Sequence, residues 1–224
     1  MRGSIYADAP GFHRGMEHFK YLAETLAPQL ARRRAAGAEK ELRGWSAGCS
    51  TGEEAYSIAI TLLERPALSG PSCTIKLLGT DVSSEALSRA GRGEYSAESL
   101  EAAPSGLVWA YFDKTGEGGA RVYRVKPRTR NLVHFRRFNP AREVFPFQRK
   151  FGFIFCRSAM IYSGKGAQGA LVERFWAALE PGGALFIDPS ESLTGLCHGF
   201  KYVKPGIYQK PDRGYPAKSG GAAE

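Results

Sequence analysis

The regular alternation of short apolar runs with longer amphipathic stretches constrains this chain more than any other feature. Runs at 42–47, 74–80, 131–135, 151–156 and 184–187 are strand-sized and bounded by Gly, Pro, Ser or Asp. Between them lie helical periodicities. Phe19, Leu22, Leu26 and Leu30 mark a helix over 15–35 that Gly37 stops. Ser50 or Thr51 is expected to cap a second helix, with Tyr56, Ala59, Ile60 and Leu63 on its buried face. Ser83 caps a third, through Leu87 and Ala90, and Leu171, Val172, Phe175 and Leu179 face inward from a fourth over 165–179. Phe151-Gly152-Phe153-Ile154-Phe155-Cys156 is apolar throughout, as a strand buried on both faces requires. Alternating strands and helices predict an α/β fold, a doubly wound and mostly parallel sheet.

The alternation breaks over 94–130. Turn signals at Pro104-Ser105-Gly106 and Gly116-Glu117-Gly118-Gly119 bracket an aromatic patch of Trp109, Tyr111 and Phe112, and Val122-Tyr123-Arg124-Val125 alternates like a strand. This reads as a small, β-rich insertion in one domain over 15–210. Residues 1–14 form an N-terminal segment. Pro181-Gly182-Gly183 is a turn, a last strand falls near 206–210, and the tail 211–224 is expected to be disordered.

Several classes of function are excluded early. No apolar run approaches the roughly 18 residues that span a membrane, and the first residues have no apolar signal core. A cytoplasmic protein with no membrane insertion is expected. Cys49, Cys73, Cys156 and Cys197 form no CxxC pair, and His13, His18, His134 and His198 lack ligand spacing, so no metal site is expected. The net charge of +9 is local. Residues 121–150 hold ten Lys or Arg against Glu143, and the remaining 21 bases and 21 acids cancel. Such a stripe suits an acidic partner, or protects a strand edge from pairing.

The segment Trp45-Ser46-Ala47-Gly48-Cys49-Ser50-Thr51-Gly52-Glu53-Glu54 runs from the first strand into the second helix. Its small residues admit a ligand close to the backbone, beside the free N–H groups of a helix start. Glu53 and Glu54 suit the positive helix end but repel phosphate. Neither the GxGxxG spacing nor a P-loop is present. Asp81 ends the second strand, where a carboxylate grips two ribose hydroxyls. An acidic helix start beside a ribose-binding acid points to S-adenosylmethionine, whose sulfonium and ammonium are positive.

Six blocks then carry a resemblance to a known family: 45–60, 77–96, 135–140, 151–163, 179–193 and 199–210. In this order they resemble the CheR family, chemotaxis receptor methyltransferases that methyl-esterify receptor glutamates using S-adenosylmethionine. The similarity covers roughly 10–210 and implies S-adenosylhomocysteine as product. It carries Ala47 and Glu53 onto cofactor contacts and Asp81 onto the ribose-binding acid. Asn139 and Pro140 fall near the adenine, and Ser158 and Ala159 on the segment after the fourth strand. Arg14, from the family's Thr-x-Phe-Phe-Arg motif, and Tyr162 are implied to orient the substrate carboxylate, Arg14 also touching the cofactor. The insertion resembles the family's β-subdomain, which in some members docks a receptor tail peptide. The implied partner is the acidic cytoplasmic region of a chemoreceptor or related signalling protein, met through the 121–150 stripe and this subdomain.

The chain departs from the family at Pro10, Ser158 and Asp188-Pro189, where the pattern has Thr, Asn and Gly-His. The family's basic N-terminal helical domain is not expected ahead of residue 10. These departures motivate an alternative, a weak or inactive module that senses S-adenosylmethionine or S-adenosylhomocysteine. A nucleic-acid methyltransferase is the third reading; the Asn/Asp-Pro-Pro-Tyr/Phe motif of amino-methylating enzymes is missing.

Overall fold

The computed structural model describes residues 12–13, 15–37, 40–68, 73–101, 103–115, 121–157 and 164–212. Arg14, Ser158, Ala159 and Tyr162, together with most of the tail, lie outside them. The chain divides into two compact units, residues 1–139 and 140–224.

The first unit opens with α1 (Met16–Tyr21), which passes through a π-helical turn (Leu22–Leu26) into α2 (Ala27–Ala36). One helix was expected here, and the wider turn is an interruption that periodicity does not reveal. Next come β1 (Glu41–Ala47), α3 (Glu53–Leu63), β2 (Thr74–Asp81) and α4 (Ser84–Arg92). The inserted region holds β3 (Glu94–Ser96), α5 (Ser105–Tyr111), β4 (Phe112–Thr115), β5 (Val122–Val125) and α6 (Pro127–Arg130), and β6 (Val133–Arg137) follows. β1, β2 and β6 run parallel in the order β6-β2-β1, with Ala47 opposite Thr80 and Asp81 opposite Arg137. A separate antiparallel sheet has the order β3-β5-β4. The aromatic patch of the insertion is thus partly helical, with Trp109 and Tyr111 on α5.

Helix α3 is buried almost all round, from Glu53 through Leu62 apart from half-exposed Glu54. The expected single buried face was too narrow, and Leu62 rather than Leu63 points inward. A helix apolar around its circumference belongs inside a fold. Trp45 is fully buried, and its indole N–H donates to Thr80 Oγ1 at 2.9 Å, so the bulky ring enters the core with its polar atom satisfied.

The second unit contains β7 (Phe151–Cys156), α7 (Lys165–Ala178), β8 (Leu179–Ile187), β9 (Lys201–Lys204) and β10 (Ile207–Gln209). Their order is β7-β8-β10-β9, parallel between β7 and β8 and antiparallel thereafter. All six residues of β7 are buried, and Phe155 stacks on Phe186 at 4.1 Å. Pro181-Gly182-Gly183 is not a turn that precedes the strand but part of it. The chain bulges there, with Gly182 at φ 71° and a shift in the β7–β8 register. Lys210 closes the C-terminal end of α7 by donating to the carbonyls of Trp176 (2.6 Å) and Leu179 (2.8 Å). The α/β fold expected from the alternation is the one observed, mostly parallel with a small antiparallel sheet.

Candidate functional site

Parallel pairing of β1 and β2 brings two strand ends together at one edge. Ala47 closes β1 and is fully buried. The amides of Gly48 and Cys49 both donate to the Thr80 carbonyl, at 2.7 and 2.9 Å, which folds the loop back over β2. Gly48, Ser50 and Gly52 then take left-handed conformations, at φ 82°, 47° and 97°. Ser50 does so without glycine's freedom, and strain of this kind persists only where the surroundings hold it. Its N–H donates to Asp81 Oδ2 at 2.9 Å, which is what holds it.

The expected side-chain cap of α3 is absent. Gly52 occupies the N-cap position, and its left-handed backbone starts the helix without a hydroxyl. The Thr51 hydroxyl instead lies 2.7–2.8 Å from both carboxylate oxygens of Glu53, which is buried. The Ser46 hydroxyl donates to Glu54 Oε1 at 2.7 Å. Both first-turn carboxylates therefore have fixed donors.

Asp81 is the hub of this edge. Its Oδ2 accepts from Ser50 and its Oδ1 accepts from the Ser83 amide at 2.9 Å. Its carbonyl accepts from the Phe138 amide at 3.1 Å, which brings half-buried Asn139 to the end of β6. Ser83 caps α4 as expected, its Oγ accepting from Ala86 N at 3.1 Å. A carboxylate offers about four lone-pair sites. Two are used, and the other two suit a pair of neighbouring hydroxyls on a ligand. Pro140 begins the second unit, where its carbonyl accepts from Arg174 at 3.2 Å.

Two supports were not foreseen. The Tyr95 hydroxyl, from β3 of the small sheet, donates to the Thr51 carbonyl at 2.7 Å. A Cβ on Gly52 would sit 3.0 Å from that hydroxyl and 2.9 Å from Ala90 Cβ, so loop, α4 and small sheet meet where no side chain fits. The second support is the N-terminal segment. His13, at φ 55°, donates its N–H to Ser57 Oγ at 2.9 Å, and Ser57 donates to the Glu53 carbonyl at 2.7 Å. Phe12 packs edge-on against Tyr95 and Phe112. The chain is thereby tied to the first turns of α3, one residue before Arg14. The Tyr95 and His13 partnerships are long-range in sequence, 44 residues in each case, so no local signal announces them.

Burial, reinforced by the Asp81 and Glu54 carboxylates, pushes the Cys49 thiol far up. It stays a neutral thiol and is no nucleophile at physiological pH. Burial likewise raises the Tyr56 phenol to about 12. Among the described residues no cluster of His, Cys, Asp and Glu could hold a metal ion, and no helix is long and apolar enough to cross a membrane.

Residues 9–208 match the family model described as CheR methyltransferase, SAM binding domain. The chain belongs to this family. It is 37% identical over 205 residues to chemotaxis protein methyltransferase 2 of Pseudomonas aeruginosa, covering 92% of this chain and 70% of the relative. It is 33% identical over 199 residues to the chemotaxis protein methyltransferase of Borreliella burgdorferi, covering 89% and 69%. The Salmonella typhimurium chemotaxis protein methyltransferase is 34% identical over 205 residues, with 92% and 67% covered. The chemistry of the strand ends agrees with the family's cofactor. Three carboxylates, Glu53, Glu54 and Asp81, gather at the ends of β1 and β2, and Asp81 keeps accepting capacity beyond its two backbone amides.

Proposed function

We infer that this chain transfers the methyl group of S-adenosylmethionine to glutamate side chains of a chemoreceptor's cytoplasmic region, releasing S-adenosylhomocysteine. The observation that carries the reading is the Asp81 carboxylate, fixed by two backbone amides with half its accepting capacity left over.

When bound, S-adenosylmethionine supplies an electrophilic methyl group on a sulfonium. Asp81 would hold the ribose hydroxyls, and the loop from Ala47 to Glu53 would let the amino-acid end approach the backbone. Asn139 and Pro140 would lie toward the adenine, with Ser158 and Ala159, which follow β7 in the chain, as further cofactor-binding residues. The acceptor is a glutamate carboxylate, already ionised at neutral pH, so the protein needs no general base. Anion and cation neutralise each other as the new bond forms, so a dry site favours the transition state. The chain's own contribution is alignment. Arg14 would orient the carboxylate by a charge-assisted hydrogen bond, and Tyr162 would do so by its hydroxyl. Keeping Cys49 protonated removes a nucleophile that would compete for the methyl group.

The small sheet offers a docking face for the receptor. A cavity of about 640 Å³ is lined by Leu100, Val108, Trp109, Phe112, Tyr123 and Lys126, and Trp109 is 83% exposed. Large exposed aromatics beside such a cavity mark interaction surfaces. The basic 121–150 stripe adds attraction for an acidic partner, and the reaction belongs on the cytoplasmic side of the receptor.

Two measurements test this. Calorimetry with S-adenosylhomocysteine should show binding, and labelled methyl should pass to a chemoreceptor cytoplasmic fragment as a base-labile ester. No heat at millimolar ligand would overturn the cofactor assignment. Binding without transfer to any receptor fragment would leave a sensing module instead.

A further inference from the structure

We propose that His13 is a positioning residue for the transfer reaction, a proton-sensitive latch that holds the chain just ahead of Arg14 against α3 while its ring is neutral. The catalytic consequence rests on the methyltransferase reading above; the latch itself does not.

Residues 12 and 13 bridge two elements of the first unit. Phe12 is fully buried, edge-on to Tyr95 and Phe112, and its amide donates to the Ser99 carbonyl at 3.3 Å. His13 takes a left-handed backbone at φ 55°, and its amide donates to Ser57 Oγ at 2.9 Å, in the second turn of α3. Arg14 stands in the chain between this anchor and Gly15, which caps α1. A non-glycine residue keeps such a backbone only where its surroundings hold it. Here the Ser57 bond holds it, together with a ring that is 7% exposed and lies 5.3 Å from Phe19.

A packing role accounts for the burial but not for the imidazole. Its Nδ1 is buried with no hydrogen-bond partner among the described residues, a cost that an apolar ring in the same place would avoid. What the imidazole adds is a proton that comes and goes near neutral pH. The ionisable side chains on the elements packed against residues 12 and 13 are Glu17, His18 and Lys20 on α1, Glu53 and Glu54 on α3, and Tyr95 on β3. Arg14, next in the chain, adds a positive charge. Burial is the cause that lowers the His13 pKa from its ordinary 6.5. The neutral ring therefore favours the latched state above about pH 6.5, and that contribution is lost as the pH falls through the lower folded value. A charged ring is costly where water does not reach it. It turns out to solvent and takes the left-handed backbone and the Ser57 bond with it. Arg14 then loses the anchor that aligns it with the acceptor carboxylate.

The test compares wild type with two variants. His13→Asn suits a left-handed backbone without a titrating ring, and His13→Phe keeps a ring without a proton. Measurements run from about pH 7.5 to about pH 5, where a receptor glutamate of ordinary pKa, about 4.3, stays mostly ionised. Amide hydrogen exchange, corrected for its intrinsic pH dependence, should show residues 12 and 13 protected in wild type at the upper pH and open at the lower, and protected at both in the variants. The kcat/KM for labelled methyl transfer, at saturating S-adenosylmethionine, should fall at least roughly fivefold further in wild type than in the variants. Wild-type protection that survives at the lower pH overturns the latch, whether or not either variant folds. Glu191 titrates in the same range but is present in all three proteins, so an equal acid loss in wild type and variants also overturns it. Lost protection with unchanged transfer overturns the positioning role. Wild type that neither binds S-adenosylhomocysteine nor transfers methyl at the upper pH refutes the methyltransferase reading, and the exchange experiment still decides the latch.

Discussion

Two turns follow the carboxyl ends of parallel strands in this protein, and they treat their acids in opposite ways. After β1, the loop to Gly52 leads into Glu53 and Glu54, and each has a hydroxyl donor within 2.8 Å. Asp81, beside it, holds one backbone amide on each oxygen. After β8, Asp188-Pro189-Ser190-Glu191 folds into a tight turn. Asp188 Oδ1 takes both the amide and the hydroxyl of Ser190, at 2.9 and 2.6 Å. Glu191 receives only the Asp188 amide, at 3.1 Å, and its other oxygen is buried with no partner among the described residues. Burial, with the nearby Asp188 charge, pushes its pKa up to about 7, against a weaker opposing pull from that amide. Burial of a carboxylate oxygen without a donor disfavours the charged form of Glu191.

The comparison can be broken most forcefully at Gly52. Gly52→Val puts a Cβ at φ 97° within 2.9 Å of Ala90 and 3.0 Å of the Tyr95 hydroxyl. The expected loss is about 3 kcal/mol, or roughly 10 °C in Tm by calorimetry, with loss of S-adenosylhomocysteine binding. An unchanged Tm would show that the loop's rigidity does not depend on that approach. Asp81→Ala is next. Removing hydrogen bonds from a charged acceptor should cost about 2 kcal/mol of cofactor affinity, roughly thirtyfold in Kd. An unchanged Kd would deny Asp81 its ribose role.

Glu191 sharpens the other side. Its folded pKa of about 7 lies above the ordinary 4.5, so the folded state holds the proton more tightly. That contribution is intact below pH 4.5 and is lost as the pH rises through about 7. Because the group is half-exposed, solvent screening reduces the effect to on the order of 1 kcal/mol. Glu191→Gln should therefore flatten the pH dependence of Tm between pH 5 and 7, roughly the window between the two pKa values. A wild-type Tm that rises across that window would contradict the assignment. The smallest effect is expected from Tyr95→Phe, which frees the Thr51 carbonyl at a cost of about 1 kcal/mol or less. Its signature is a severalfold weaker cofactor Kd at nearly constant Tm. No change in Kd would mean the small sheet does not brace the loop.

Much of this was legible in the chain. Strand positions followed from apolar runs bounded by turn residues, and β7 in particular has no alternative to full burial. Asp81 and the Gly48–Gly52 loop stood out in the sequence as an acid and a small-residue turn, and the structure brings them together at one sheet edge. The cap of α3 was misread, since Ser50 and Thr51 are the usual capping residues. What decided against them was the Asp81 carboxylate, which takes the Ser50 amide and holds Ser50 left-handed. The bulge at Gly182 was misread for a similar reason: Pro-Gly-Gly is a turn by local preference, and pairing with β7 overrides it.

By itself the sequence determined the α/β alternation and the family, because periodicity and residue chemistry are local properties. Only the tertiary structure decided which distant groups brace the loop after β1 and the helix it leads into: Ser50 with Asp81, Tyr95 with Thr51 and His13 with Ser57 are far apart in the chain, and strand pairing and packing bring them within hydrogen-bond reach. Glu53 and Glu191 look alike as letters, yet the fold sets a hydroxyl against both oxygens of the first and buries one oxygen of the second with no partner among the described residues.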